Sequence, residues 1–541
     1  MKKIIAGVLV AVLWFAVVIT YTVIATKADD DEDAHEFTIL TVKEETVKDY
    51  NNMPVFKDLA RKTGKDVYWT YNTSLQYSNN TDPVGTKGID AIYHSGFSNL
   101  QLYNYGRSGR IAAINKYLEN DKVMPNLYKI LQDRPDIAEA LKSPDNNIYS
   151  LPRVEEMGLK AHPNLLFINK VWVEKLINGG NLSEVDITKD DLKDGLQLTR
   201  NEFKIILQKF NDFDMDGDGS TTNEVPLSFV SGNWQGNESD LIASFGVPEN
   251  TEHKTIVNDK ITFTIESEKW FNAVYELNDW YNRGLIRSSA FTQEQDEFLA
   301  KGQDGRYGAF YWWEKETVVK KSLQDNYIMM QALTDENGNS YVGMSNELEI
   351  EKGECVILSS CKDIAGLLSY FDKFFEPVYS AQINYGSIDS GAFEKYKEGE
   401  MLIPNDDHGE QSADDFRMKN APYGVVYLPQ DVWDNEIQME SRAKLRLERL
   451  DVYLQNNAFD NIKSIPNLNY EKDELDTLNR YENSLGKNIT SWFTTRVTAK
   501  SAPTLSDWQN FLKTNSASIS QVKSVNQAAY DRYLQATQNR A

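Results

Sequence analysis

The longest apolar run in the chain comes first. After Met1-Lys2-Lys3, residues Ile4 to Ala25 carry no charge, and Asp29, Asp30, Asp31, Glu32 and Asp33 follow. About 20 apolar residues are enough to cross a bilayer, and the preceding lysines favour a cytoplasmic N-terminus. The pattern predicts a transmembrane anchor or a cleaved signal peptide over residues 1–28, then an acidic spacer over 29–35. Small residues at Ala25 and Ala28 would suit cleavage, although the apolar core of a signal peptide is usually shorter, about 7–15 residues. On either reading the body, residues 36–541, works outside the cytoplasmic membrane, anchored to its outer face or secreted.

Within the body the pattern changes to short alternating or fully apolar runs separated by helical periodicity. Glu36 to Val42, Asp66 to Tyr71 and Ile89 to Tyr93 read as strands, with a helix near Pro54 to Lys62 that stops at Gly64. Strands alternating with helices predict an α/β lobe with a largely parallel sheet. Ligands of such sheets lie beyond the carboxyl ends of strands, which makes His94 and Ser95 candidates, with simple turn formation as the alternative. The pattern then repeats: a buried strand Leu165 to Ile168, a helix starting at Trp172, helices over Thr199 to Phe210 and Lys269 to Tyr281, and a strand from Gly308 ending in the aromatics Tyr311, Trp312 and Trp313. The last hundred residues read as helical, over 442–456, 475–485 and 505–534. No Pro/Gly/Ser linker divides the body, so its lobes should share strands and crossovers.

The chain has 541 residues, enough for two to four cores. Lys plus Arg is 57 against 81 Asp plus Glu, a net charge of −24 that repels phosphate backbones and disfavours nucleic-acid binding. The only cysteines, Cys355 and Cys361, exclude a disulfide-dense scaffold and a Cys₄ zinc site, and leave one bridge open. Tyr and Trp are plentiful, at 28 and 11, and their apolar faces with polar tips suit wet binding sites.

One loop carries evident chemistry. Asp214, Asp216 and Asp218 alternate, with Gly217 and Gly219 between and after them. Carboxylates crowded on a tight turn repel one another unless a hard cation sits among them, and Ca²⁺ takes six to eight oxygens. The sequence predicts a structural calcium loop, with a solvated acidic turn as the alternative. It is not a standard EF-hand, because Val225 occupies the twelfth position counted from Asp214.

Several segments, in order, resemble the extracellular solute-binding proteins of ABC importers, in particular the large oligosaccharide-binding family with its lipoprotein-like members in Firmicutes. They are Gly109 to Leu118, Asn147 to Arg153, Asn164 to Leu176 with Trp172 in register, Phe245-Gly246-Val247, Trp280 to Ile286 and Ala529 to Tyr533. The resemblance implies a two-lobe, periplasmic-binding-protein-like (type II) α/β fold with a hinge of several crossovers. It puts lobe 1 at about 36–150 and 300–370 and lobe 2 at about 151–299 and 371–541. It further implies a monomer that closes on an oligosaccharide and presents it to permease subunits. Sugar rings pack on aromatic faces and their hydroxyls need two-way hydrogen-bond partners. On that basis the candidate ligand contacts are Trp312, Trp313, Trp234, Arg153, Glu155, Tyr385, Trp69 and His94, with core packing as the alternative for Trp69 and for one of the adjacent Trp312 and Trp313. Matched to the family's calcium loop, Asp214, Asp216 and Asp218 are the first ligands, Ser220 offers a carbonyl, and Asn223 and Glu224 supply the last pair. Thr26 stands where lipoprotein members carry the lipid-bearing Cys. That departure fits the apolar run acting as the anchor, or release after cleavage, and keeps a second reading open, a sugar sensor coupled to a membrane signalling partner. A glycoside hydrolase needs two carboxyls about 5–10 Å apart across one bond. Adjacent Glu155 and Glu156 point to opposite faces of an extended segment, so no enzyme activity is expected.

Overall fold

The computed structural model describes residues 35–538, apart from 395, 398 and 410. The anchor or signal expected over residues 1–28, and the spacer up to 34, lie outside the described residues. Among the described residues no helix is long and apolar enough to cross a membrane.

Two larger sheets organise the body, beside a small one of Ile462–Lys463, Lys254–Val257 and Lys260–Phe263. The first has six strands in the order Val426–Leu428, Leu151–Glu155, Ile350–Ile357, Ala91–Tyr93, Phe37–Val42 and Val67–Asn72. Phe37–Val42 pairs in parallel with both Val67–Asn72 and Ala91–Tyr93, whereas Ile350–Ile357 runs antiparallel to its neighbours on either side. The expected parallel sheet is therefore a mixed one. Ile39 packs into the main core on one face while Leu40 and Ile92 enter a second cluster on the other. Burial on both faces is why these strands read as near-continuous apolar runs. The helix Pro54–Thr63 starts with Pro at its first turn, where no N–H partner is needed, and ends on Gly64 at φ 67°.

The second sheet has four strands in the order Tyr327–Met329, Leu165–Asn169, Tyr307–Trp312 and Val225–Ser228. The helix Arg200–Asp212 begins with a capping box between Thr199 and Glu202 and buries Phe203, Ile206, Leu207 and Phe210, the face expected from their spacing. The C-terminal helices Lys472–Val497 and Leu505–Gln538 pack on each other and on Glu268–Asn282, through the ring pairs Trp270–Trp492 and Phe271–Trp508.

The chain passes between the lobes three times, through residues 156–164 and 330–349 from sheet to sheet, and through 429–440 into the helix Ser441–Tyr453 of lobe 2. This corrects the expected lobe boundaries. Tyr307–Trp312 pairs with Leu165–Asn169 and Val225–Ser228, so it belongs to lobe 2, and Val426–Leu428 pairs with Leu151–Glu155, so lobe 1 takes back the chain up to about 428. Lobe membership is set by non-local pairing, which local periodicity does not report. Cys355 and Cys361 are both buried and unbridged.

Candidate ligand cleft and metal loop

A cavity of about 400 Å³ lies between the lobes. All three crossing segments reach it, through Met157, Leu159 and Lys160, through Glu349, and through Glu440. Lobe 1 adds Glu155, Tyr385, Asp414 and Arg417. Lobe 2 adds Gln235, Trp312, Trp313, Glu314, Thr317, Arg442 and Arg446, among others. The segments that join the lobes thus also line the space between them.

On the lobe 2 side the strand Tyr307–Trp312 delivers its last residue to the cavity edge. Trp312 is only 2% exposed. One face stacks on Phe298 at 4.8 Å, and its Nε1 donates to Thr317 Oγ1 at 3.0 Å. The backbone of Gly236 also lies against it: a Cβ there would sit 2.1 Å from the indole, and φ is 68°. Only glycine allows this approach. Of the adjacent pair, Trp312 is thus the one packed in the core, although it also lines the cavity. Trp313, half-buried, meets Trp234 at 4.8 Å and 53°, and the Arg446 guanidinium lies over its ring.

Trp234 sits on a loop organised from below by Asn164. The Asn164 carboxamide oxygen accepts from the Gly236 and Asn237 N–H groups at 2.7 and 3.2 Å, and Asn237 donates to the carbonyls of Asn233 and Trp234. A buried side chain therefore takes the backbone donors that a loop has no strand partner to satisfy. This loop also brings Gln235 to the cavity.

The charges on the cleft are paired with two exceptions, Glu349 and Arg446. Arg153 donates to Glu155 and Asn384, and Asn384 donates back to Glu155. Burial opposes ionisation of Glu155, but Arg153 and Arg417 outweigh it and hold the carboxyl below its ordinary range. Arg417 lies 4.3 Å over the Tyr385 ring and 3.6 Å from Glu440, whose carboxyl is pushed up by burial despite Arg417 and Arg442. Arg442 grips Glu314 with Nε and Nη2 and reaches Asp414 of lobe 1 at 2.6 Å. Glu349 accepts from the Met157 and Gly158 N–H groups, which only partly offset the upward push of burial. Arg446 has no carboxylate partner.

The structure thus brings Trp312, Trp313, Glu155 and Tyr385 to the cavity, with Trp234 against Trp313 and Arg153 behind Glu155. Two candidates are corrected. Trp69, 4% exposed, packs on Tyr50, Phe56 and Tyr93 because its strand turns it inward. His94 is used up in lobe 1, with Nδ1 3.1 Å from Glu354 and Nε2 2.9 Å from the Pro422 carbonyl. The sequence reading missed Glu314, Asp414, Arg417, Glu440, Arg442 and Arg446. One signal was available: Arg442, Arg446 and Arg449 recur at helical spacing along the helix Ser441–Tyr453, on the side that also buries Leu450 and Tyr453.

The acidic loop joins the helix Arg200–Asp212 to the strand Val225–Ser228, and none of its residues lines the cavity. Carboxylate oxygens of Asp214, Asp216 and Asp218 lie within 4.8 Å of one another. Gly217 and Gly219 adopt φ of 86° and 89° and donate their N–H groups to Asp214. Glu224, 1% exposed, uses one oxygen to accept from Met215 N–H, while its other oxygen is buried without a partner; so is the Asn223 carboxamide oxygen. Two orphaned buried oxygens beside three converging carboxylates fit a hard cation. The Ser220 hydroxyl pairs with Thr222, leaving its carbonyl as the other candidate donor.

Two α/β lobes joined by three crossings around a polar, aromatic cleft are the fold this chain shares with two-lobed solute-binding proteins. No protein-family profile matches the chain. It is 26% identical over 504 residues to FusA of Streptococcus pneumoniae, a fructooligosaccharide ABC transporter substrate-binding protein, covering 91% of this chain and 89% of FusA. The structure of FusA in complex with kestose superposes with a TM-score of 0.80 at 23% identity, over 92% of this chain and 99% of that one. An EF-hand mutant of FusA in complex with fructo-nystose gives the same TM-score, at 24% identity and the same coverage. An HMO-binding, ABC-transporter-associated solute-binding protein from Bifidobacterium longum infantis gives 0.74 at 18% identity, over 92% and 98%.

Proposed function

We propose that the body binds an oligosaccharide in the inter-lobe cavity, outside the cell, and delivers it uncleaved to an ABC transporter permease. The observation that carries this is the cavity itself. Its lining mixes aromatic rings with carboxylates and guanidinium groups, and every crossing segment contributes to it. Sugars need that mixture, because their C–H faces pack on aromatic rings while each hydroxyl both donates and accepts. FusA makes fructooligosaccharides the first class to try. Trp313, Tyr385 and Glu155 would contact the ligand, with Trp234 and Trp312 setting the position of Trp313 and Arg153 that of Glu155. The lobes would close about the three crossings. Residues 1–28 would anchor or export the body.

A structural Ca²⁺ is part of the same proposal. Asp214, Asp216, Asp218, the Ser220 carbonyl, Asn223 and Glu224 would hold it, and the EF-hand variant of FusA supports such a site in a relative. The ion would fix the turn that feeds the strand Val225–Ser228.

The test is calorimetric titration of residues 36–541 with kestose, longer fructooligosaccharides and milk oligosaccharides, with X-ray scattering of the same samples. Micromolar or tighter binding, a more compact particle and ligand recovered intact are expected. Failure of every neutral oligosaccharide to bind, or hydrolysis that persists on repurification, refutes the proposal.

A further inference from the structure

We propose that Arg446 is the specificity-determining residue of the cleft, donating N–H groups from two of its nitrogens to oxygens of a neutral sugar unit. This inference rests on the oligosaccharide-binding reading above. Arg446 lies on the helix Ser441–Tyr453 between two arginines that are each paired with a carboxylate, although Arg449 Nε has no partner among the described residues. Arg442 is held by Glu314, and Arg449 makes a two-pronged pair with Glu316 at 2.8 and 2.7 Å. Arg446 is buried more deeply than either, at 1% exposure, yet no carboxylate meets it. Its Nη2 lies 3.5 and 3.4 Å from the carbonyls of Leu159 and His162, and its Nε and Nη1 have no acceptor among the described residues. The guanidinium covers Trp313 and lines the cavity.

A guanidinium does not escape burial by losing its proton in the ordinary pH range. A buried cation held only by an aromatic face and two long contacts to carbonyls is poorly compensated, and buried donors without acceptors need an explanation such as a ligand. Burial does lower the proton affinity of Arg446 well below the usual value, with only Glu314 opposing the effect. The free donors therefore wait for acceptors brought by the occupant of the cavity. Those acceptors belong to a neutral sugar. Five carboxylates line the cavity against four cationic side chains, so an acid sugar would add negative charge to a site already acidic on balance. A hydroxyl can accept from Arg446 while donating to Glu155 or Glu349, which an ionised carboxylate cannot do.

The test uses Arg446→Met and Arg446→Lys in the full body, titrated with kestose and with a trisaccharide of uronic acids, alongside the ligand-free melting temperature. The parent should bind kestose and not the acidic sugar. The Met variant should bind about 100-fold more weakly and the Lys variant about 10-fold, as expected for loss of two or one charge-assisted hydrogen bonds. The ligand-free Met variant should melt no lower than the parent, because it sheds an unpaired buried charge. Unchanged affinity in both variants overturns the proposal, as does tighter binding of the acidic sugar. A lower melting temperature for the Met variant also overturns it, since Arg446 would then be a packing residue. If the parent binds neither sugar, the oligosaccharide reading falls by itself. The melting temperature needs no ligand and still decides whether Arg446 carries an uncompensated charge.

Discussion

Replacing Asp240 by Asn should stabilise the protein at pH 8 far more than at pH 5. Asp240 is buried in the short helix Ser239–Ala243, and its Oδ2 accepts from the Tyr453 hydroxyl at 2.9 Å. That bond ties lobe 2 to the end of the helix that carries Arg442 and Arg446. Burial, only partly offset by Tyr453 and the Gly343 N–H, pushes the carboxyl from 3.8 up to about 7. The folded state therefore holds this proton more tightly than the unfolded state. The associated stability is fully present below the unfolded value of 3.8, falls as pH rises toward 7, and is flat above. At about 1.4 kcal/mol per pH unit across that window, ionising Asp240 costs about 4 kcal/mol by pH 8 and about 2 kcal/mol at pH 5. Asn does not ionise. Its amide would face the Gly343 N–H and lose about 1 kcal/mol at both pH values. The variant should thus exceed the parent by about 3 kcal/mol at pH 8 and by about 1 kcal/mol or less at pH 5. Urea unfolding of both proteins at the two pH values measures this, and all other titrating groups cancel in the difference. A variant-minus-parent difference that does not change with pH would refute the reasoning, because Asp240 would then titrate alike in both states.

Calcium removal should lower the melting temperature, and Asp218→Ala should make the protein indifferent to the chelator. An ion present at 100 times its dissociation constant stabilises by about 3 kcal/mol, so a parent that melts identically with and without chelator rules the ion out. Trp313→Ala should weaken kestose binding about 10-fold to 100-fold; unchanged affinity in the calorimeter would remove the ring from the site. Asn164→Ala leaves the Gly236 and Asn237 N–H groups without their acceptor and should cost about 1–3 kcal/mol in urea unfolding. Since the same loop carries Trp234 and Gln235, its kestose affinity should also fall, and full retention of affinity would show that the loop does not set the site.

The elements were largely legible because they follow from local pattern. The expected strand from Glu36 to Val42 is observed at Phe37–Val42, and the expected helix from Thr199 to Phe210 at Arg200–Asp212. Which lobe a strand joins was not legible, because Tyr307–Trp312 finds partners more than 80 and more than 140 residues earlier in the chain. The acidic loop could be read because its chemistry lies within a dozen residues. The cleft could not be read in the same way. Glu155, Glu349, Asp414 and Arg446 come from four distant segments and meet only because the crossings bring them together. Burial misled twice in one direction. Trp69 and Trp312 have the residue type of a sugar platform, but Trp69 is at the one buried position of its strand and Trp312 ends a strand buried throughout. The arginines misled in the other direction: arginines are mostly exposed, and the helix Ser441–Tyr453 instead turns Arg446 and Arg449 inward.

The contacts across the cleft bear on what would drive closure. The direct ion pair from lobe 1 to the helix Ser441–Tyr453 is Asp414–Arg442, and the Asp414 side chain is 54% exposed and that of Arg442 30%. Pairs so exposed contribute between nothing and about 1 kcal/mol, which is too little to hold two lobes shut. The better-buried pair, Arg417–Glu440, joins lobe 1 to a crossing segment at 3.6 Å and so moves with the hinge instead of locking it. What remains at the cleft is a buried guanidinium with free donors on one side, facing on the other the Glu155 and Glu349 carboxyls, each already held by protein donors but lining the cavity. Under the proposed function, a ligand that bridges these groups contacts both lobes and a crossing segment at once, and makes those contacts only when the lobes are together. Its differential affinity for the closed form would then set the closing equilibrium. An unliganded protein with weak direct pairs would open, and a permease that recognises the closed form would receive the loaded protein in preference to the empty one.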